Sequence, residues 1–551
     1  MKNNFLNWFF VVEIILFGLI ITGILPRETA LYLGAALVIY FLAARIDDSL
    51  VFFVRSIPLF LAMPLTASFD NFNIWRILVV IIFLKWAWPQ VKNKIKTLKN
   101  ISYFSHDREI NTIVILLLIL LLFAILSIIP APDKIAAIKR IIFFLNFAIF
   151  GIVLYYKAAD PVKSDDHGAG KEFVKRLIKN SMIPVIIVAT VGYIQVISTY
   201  FIDIYQFMRI WGEGIQCRQF GEQWCNIAVQ LGNTWFAYYG EQLSLRVFSL
   251  FPDSHSFPQF VLLGIPAIFA ISPLLITNRP KLRIKRMGFI TLLSLLFLIA
   301  ILSGTRGIWA ASVGVVLLYF GLMLYMRKWE LTKLSYDNFV SFKKLGWCLV
   351  IFFAMFAVAF PIFSSPQFLI GKSDDILKQR LKSIIDFGET SNAQRIEIWK
   401  KTLISIKEKP FLGVGIGNYP VVLKQDIRLA KAGSSAHNLY LHVAAEMGIL
   451  AGIIFIWFLW LLFKRNYEIF INLAKIKSDL YYDVKSRGDH VALRDRGKNT
   501  TDFLRIYFAA TLLFVPWVLI YSLTDIAIFD ERALLFALIP ISIILGIKKA
   551  N

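Results

Sequence analysis

Arg246, Arg306, Arg395 and His437 are the residues of this chain whose types suit a single displacement reaction. A guanidinium is charged at every relevant pH, and its planar fork matches phosphate oxygens. An imidazole titrates near neutrality and accepts a proton from a hydroxyl. Such a set can stabilise a departing diphosphate while deprotonating the nucleophile that replaces it, which requires neither a nucleotide nor a metal. Arg306 lies in Ser303-Gly304-Thr305-Arg306-Gly307, whose glycines permit unusual backbone angles and close approach of an anion. Arg246 stands nine positions before His255, and His437 opens the run His437-Asn438-Leu439-Tyr440-Leu441. His442 and Glu446 follow at i, i+4 spacing, on one helix face within an apolar run, where burial is costly unless they pair or face a wet cavity. Taken singly, each arginine also reads as an interfacial anchor that reaches water, and a lone histidine as structural. The chemical reading therefore depends on elements that gather these side chains on one face.

Those elements are membrane helices. The chain has 551 residues, 58% hydrophobic and 15% aromatic, well above the roughly 45–50% apolar content of soluble domains. The apolar residues come as runs of about 20, long enough to cross a bilayer core of about 30 Å. The first, from Phe5 to Leu25, has few preceding charges and no small-residue cleavage site, so it reads as a retained helix. About fourteen spans follow from the pattern: 5–25, 29–47, 50–67, 73–89, 111–130, 135–156, 181–201, 256–277, 288–303, 308–326, 346–364, 437–463, 504–523 and 531–547. The fold class is thus an all-α polytopic bundle.

The formal charge of +23 raises the question of nucleic acid, and the positions of the charges answer it. With the N-terminus in the cytoplasm, every other loop is cytoplasmic, and those loops carry the Lys and Arg. Examples are Lys92, Lys94, Lys96 and Lys99; Arg279, Lys281, Arg283, Lys285 and Arg286; and Lys464 and Arg465. Lys548 and Lys549 place the C-terminus inside as well. In this register 1–201 is an N-terminal set of membrane helices and 202–255 an outer loop holding Cys217 and Cys225. Residues 256–364 form a second helical set with the Arg306 turn, and 365–436 a long outer loop. Residues 437–551 form a C-terminal helical set with a polar cytoplasmic insertion at 464–503, compatible with either disorder or a small amphipathic helix.

Cys217 and Cys225 are a disulfide candidate in an oxidising periplasm, the alternative being two unpaired thiols. Cys348, inside an apolar run, reads as inert. In the second outer loop Ile396, Trp399, Leu403 and Ile406 recur at helical spacing among Lys400, Lys401 and Lys407, and Pro410 ends the pattern. This predicts an amphipathic helix able to lie on the membrane surface. Arg246, His255, Arg306, Arg395 and His437 then share the outer face. Glu446 lies about 13 Å from His437 along a helix axis, which gives it a supporting rather than a catalytic part. The chain has no P-loop, no dinucleotide fingerprint and no metal-ligand cluster of Cys and His, so neither cofactor nor metal is expected.

The order of these pieces resembles the O-antigen ligase and polymerase superfamily. Arg395-Ile396-Glu397-Ile398-Trp399 is followed by Pro410-Phe411-Leu412-Gly413-Val414-Gly415-Ile416-Gly417-Asn418-Tyr419, then His437-Asn438-Leu439-Tyr440-Leu441 and Glu446-Met447-Gly448. Ser303-Gly304-Thr305-Arg306-Gly307-Ile308-Trp309 is similar to the family's upstream arginine turn. The resemblance covers about 246–455 and implies a bacterial inner-membrane glycosyltransferase whose donor is an undecaprenyl-diphosphate-linked glycan. It implies that His437 is the base, that Arg306 engages the diphosphate, and that Arg395 and Arg246 match further family arginines. Asn438, Tyr440, His442, Glu446 and His255 are expected to support them. Inversion at the anomeric carbon is the expected outcome of direct displacement. The acceptor is lipid A–core for a ligase, a growing glycan for a polymerase, or a protein for an O-oligosaccharyltransferase. The chain departs from a typical ligase by about two further spans and by the 464–503 insertion. A flippase or transporter is the reading from another class, resting on Arg55, Lys85 and Glu446.

Overall fold

The computed structural model describes residues 2–66, 70, 72–96, 107–159, 169–231, 235–239, 242–272, 283–329, 336–363, 365, 367, 369–370, 390–425, 434–487 and 497–547. Helices dominate. The first set comprises α1 (Lys2–Ile21), α2 (Thr29–Ala43), α3 (Ile46–Ser56), α4 (Trp75–Lys96), α5 (Arg108–Leu126), α6 (Lys134–Ala159) and α7 (Ala169–Ser198). Three short helices, α8 (Ile204–Phe207), α9 (Cys217–Phe220) and α10 (Glu222–Leu231), flank a π-helical stretch at Met208–Gln216. Then come α11 (Ser256–Ile271), α12 (Arg283–Leu302), α13 (Arg306–Trp329), α14 (Tyr336–Phe363) and α15 (Thr390–Glu408). The last are α16 (Leu439–Met447), α17 (Ile449–Arg487), α18 (Gly497–Tyr521) and α19 (Glu531–Gly546).

Among the described residues seven helices are long and apolar enough to cross a membrane, on α5, α6, α7, α13, α14, α17 and α18. Four shorter apolar helices stand beside them: Phe5–Ile21, Thr29–Ala43, Ser256–Ile271 and Arg286–Leu302. The expected spans 50–67 and 437–463 are among those built differently from the expectation. The 50–67 segment is not one helix: α3 stops at Ser56, a 3-10 turn carries Pro58, and an extended pair at Ala62–Met63 hydrogen-bonds Phe72–Asn73. Proline removes a donor and restricts the residue before it, which ends the helix there. The 437–463 run is split by Gly448 (φ +94°) into α16 and α17. At the other end, α17 continues as helix to Arg487, into the segment read as a polar insertion.

The segments 202–255 and 365–436 are also not purely helical among their described residues. Phe236–Tyr239 pairs with Gln242–Leu245, which in turn pairs with Leu369–Ile370, so a three-stranded sheet joins the two long loops. Cys217 and Cys225 are joined as a disulfide, Cα atoms 4.9 Å apart. The helix expected over Ile396–Ile406 is present as α15, with Leu403 and Ile404 exposed and Ile406 buried.

Inside the bundle, α11 is buried from Ser256 to Ala270 and packs along α18. Helices at the rim behave oppositely: α5 exposes Val114, Leu118 and Leu122, the apolar surface expected of a helix facing lipid. Contacts between helix ends pair loops that the charge register puts on the same side. At one end Arg27 binds Asp70, which accepts from Glu222 N, and Arg76 binds Glu531. At the other Arg465 binds Asp107 and the carbonyl of Ile547, and Arg176 binds Asp48.

Candidate functional site

A cavity of about 230 Å³ opens at the first of these ends, lined by Arg246, His255, Thr305, Arg306, Gly307, Gln394, Arg395, Ile398, His437 and Tyr521. The three arginines come from three elements: the strand-to-helix loop before α11, the first residue of α13, and α15. Each is placed by its local backbone. Arg246 N donates to Trp235 O at 2.8 Å and Val247 N to Leu302 O at 3.2 Å, which fastens this loop to the end of α12. Thr305 Oγ1 donates to Ser254 O at 2.8 Å and so ties the Arg306 turn to the same loop. Gly304 has φ +66°, and the Arg246 stem lies 3.1 Å from where a Cβ would stand. Gly307 is constrained by packing instead, since a Cβ there would meet the Tyr521 ring at 2.6 Å.

His437 sits just before α16 with φ +44°, a left-handed conformation in which non-glycine residues are uncommon and His is enriched. Its N–H donates to Ser435 Oγ at 3.2 Å, and on either side Trp399 Nε1 donates to Ala436 O and Leu439 N to Ser522 O. Three elements thus hold the strained residue in place. Its Nδ1 is buried and has no hydrogen-bond partner among the described residues. Burial, reinforced by Arg395, His255 and His442 against the opposing pull of Asp525, lowers its basicity below that of an ordinary histidine. That direction favours the neutral imidazole, the form able to take a proton.

Asp525, in the turn after α18, is the residue that sequence reasoning missed. Its Oδ2 lies 3.1 Å from His255 Nδ1. Burial alone would raise its carboxyl, but contact with His255 and the nearby His437 and Arg395 outweigh burial and hold it well below the usual carboxylate range. Tyr521, also missed, brings its hydroxyl within 3.1 Å of the same His255 nitrogen. A signal was available for Asp525: it is a carboxylate in the short polar turn between the last two apolar runs, on the face that already held the arginines. Gln394 and Ile398, on α15, complete the wall with no comparable sequence cue.

Of the supporting residues, only His255 lines the cavity. Asn438 caps α16, its Oδ1 accepting from Tyr440 N and Leu441 N at 3.0 Å each. The Tyr440 hydroxyl donates to Leu519 O at 2.8 Å and locks α16 to α18. His442 and Glu446 form a separate buried pair, Nε2 to Oε1 3.4 Å, with Glu446 Oε1 also accepting from Tyr419 N. They brace the Pro410–Tyr419 loop, whose Val414 N and Gly415 N donate to Ala445 O and Glu446 O. That loop needs glycine at 413, where φ is +64° and a Cβ would collide with the Glu446 backbone. No group of three or more His, Cys, Asp or Glu able to hold a metal occurs among the described residues.

Three guanidiniums line this small cavity, with the Asp525 carboxylate behind His255, an arrangement that favours an anionic ligand. Residues 289–456 match the family described as O-antigen ligase. Arg306, Arg395 and His437 fall inside that segment, while Arg246, His255 and Asp525 fall outside it. The chain is similar to an uncharacterized protein of Haemophilus influenzae, 29% identical over 171 residues. This similarity covers 30% of the chain and 39% of that protein's length. Residues 289–456 thus resemble the O-antigen ligase family, and they carry Arg306, Arg395 and His437.

Proposed function

We propose that this chain is a bacterial inner-membrane glycosyltransferase that moves a glycan from an undecaprenyl-diphosphate carrier to an acceptor hydroxyl, as an O-antigen ligase acting on lipid A–core at the periplasmic face. One observation carries the reading: Arg246, Arg306, Arg395 and His437 converge on a single cavity from four separate segments. The matched O-antigen ligase segment supports the same class of membrane glycosyltransferase. In this mechanism His437 takes the acceptor hydroxyl proton and the freed oxygen attacks the anomeric carbon, forming the new glycosidic bond. The bond to the diphosphate breaks, its electron pair leaves on the phosphate oxygen, and the arginines stabilise that charge. Attack opposite the leaving group inverts the anomeric centre.

Purified chain, an undecaprenyl-diphosphate-linked glycan and candidate acceptors test the reading directly. Transfer to lipid A–core in the wild type, lost in His437→Ala, is the expected result; full activity in the variant would remove His437 from its role. A polysaccharide gel of a deletion strain separates the acceptors. Loss of long chains on core marks a ligase, a single-repeat band a polymerase, and an altered glycoprotein pattern with normal polysaccharide an O-oligosaccharyltransferase.

A further inference from the structure

We propose that Asp525 and His255 are positioning residues that preset Arg246 for a phosphate of the donor. The inference rests on the reading of Arg246 as a donor-binding residue and goes beyond it by assigning what aims the guanidinium.

Arg246 Nη1 lies 3.3 Å from His255 Nε2. A guanidinium only donates, so Nε2 must present its lone pair and the ring proton must sit on Nδ1. That Nδ1–H faces Asp525 Oδ2 and the Tyr521 hydroxyl, each at 3.1 Å. An ionised carboxylate there selects this tautomer, as a hydrogen bond at one ring nitrogen dictates the state of the other. The side chains of His255 and Asp525 are 17% and 10% exposed, too enclosed for water to substitute freely for either contact. The backbone is equally fixed. Asp253 accepts from His255 N at 2.8 Å and Ser256 N at 2.7 Å, and Ser256 Oγ reaches Ala527 O at 3.1 Å. The loop carrying Arg246 is thereby stitched to the turn carrying Asp525. The chain Asp525–His255–Arg246 thus holds a cationic fork in the cavity before any ligand arrives, which lowers the ordering cost of binding.

The test uses detergent-purified full-length chain titrated with undecaprenyl diphosphate in the same micelles. Arg246→Ala, His255→Ala and Asp525→Asn are each expected to weaken binding by about tenfold or more, the scale of one charge-assisted hydrogen bond. The asparagine offers an N–H in place of a carboxylate oxygen and so favours the opposite tautomer. His255→Gln, whose amide oxygen can accept from Arg246, should recover most of the affinity lost in His255→Ala. Nitrogen-15 spectra of histidine-labelled protein, with six histidines in the chain, should show His255 protonated at Nδ1 in the wild type. Wild-type affinity in His255→Ala and Asp525→Asn, with Arg246→Ala still weakened, would overturn the proposal. So would a wild-type His255 protonated at Nε2, a result available even if Asp525→Asn does not fold. Unchanged affinity in Arg246→Ala would instead remove the donor-binding reading itself.

Discussion

Arg465, with no exposed surface, places its guanidinium 2.7 Å from Asp107 Oδ2 and closes the carbonyl end of α19 through Ile544 O and Ile547 O. One side chain on α17 therefore joins the start of α5 to the end of the last helix. A cation at a helix C-terminus satisfies carbonyls that have no partner within the helix. Arg465→Met removes the charge but not the length. It is expected to cost about 2–3 kcal/mol, less than a fully buried pair because Asp107 keeps its capping contact with Glu109 N. Thermal unfolding in detergent, compared at equal detergent concentration, measures the loss.

The junction between α16 and α17 depends on a backbone that only glycine adopts readily. Gly448 has φ +94°, and a Cβ there would meet the backbone of Phe411 and Pro410. Gly448→Ala should destabilise the protein by about 2–3 kcal/mol, from strain plus displacement of the loop. Because that junction also carries the bracing of the Pro410–Tyr419 loop, transfer activity should fall together with the melting temperature.

Transfer should be insensitive to mild acidification. His437 must be neutral to act as base, and burial depresses its basicity below the ordinary histidine value. The acid limb of kcat/KM is therefore expected below the reference pH of about 6.5 for an unperturbed imidazole. A pH–rate profile with its acid limb clearly above that value would argue against His437 as the group that titrates.

Arg306→Ala should impair use of the donor more than use of the acceptor. The guanidinium lines the cavity from the first turn of α13, and losing one charged contact to a phosphate corresponds to about tenfold or more in donor KM. Steady-state rates at limiting donor check this, and normal turnover under those conditions would count against the assignment. Arg306→Lys keeps the charge but not the fork, so it should recover only part of the loss.

Much of this molecule was legible in its residues. Apolar runs of about 20 residues announce membrane helices because lipid cannot satisfy exposed backbone groups. Alternating basic loops placed Arg246, Arg306, Arg395 and His437 on one face, and all four line one cavity. Helix breaks were harder to read. Nothing in the hydropathy of 50–67 or 437–463 marks where a helix stops, since a proline turn or a positive-φ glycine interrupts backbone geometry without interrupting apolarity. The sheet pairing Leu243 with Ile370 was likewise invisible, because strand partners far apart in sequence are chosen by where the loops are carried.

The site divides along the same line. Residue type and spacing by themselves raised the expectation of a cationic centre with a histidine, since the charge of a guanidinium belongs to the side chain. Tertiary structure alone decided that His255 joins that centre while His442 and Glu446 brace a loop beside it. It also decided that Asp525 stands behind His255. Direction and contact at a few ångströms depend on how α11, α16 and α18 pack, and no local pattern in the chain encodes that packing.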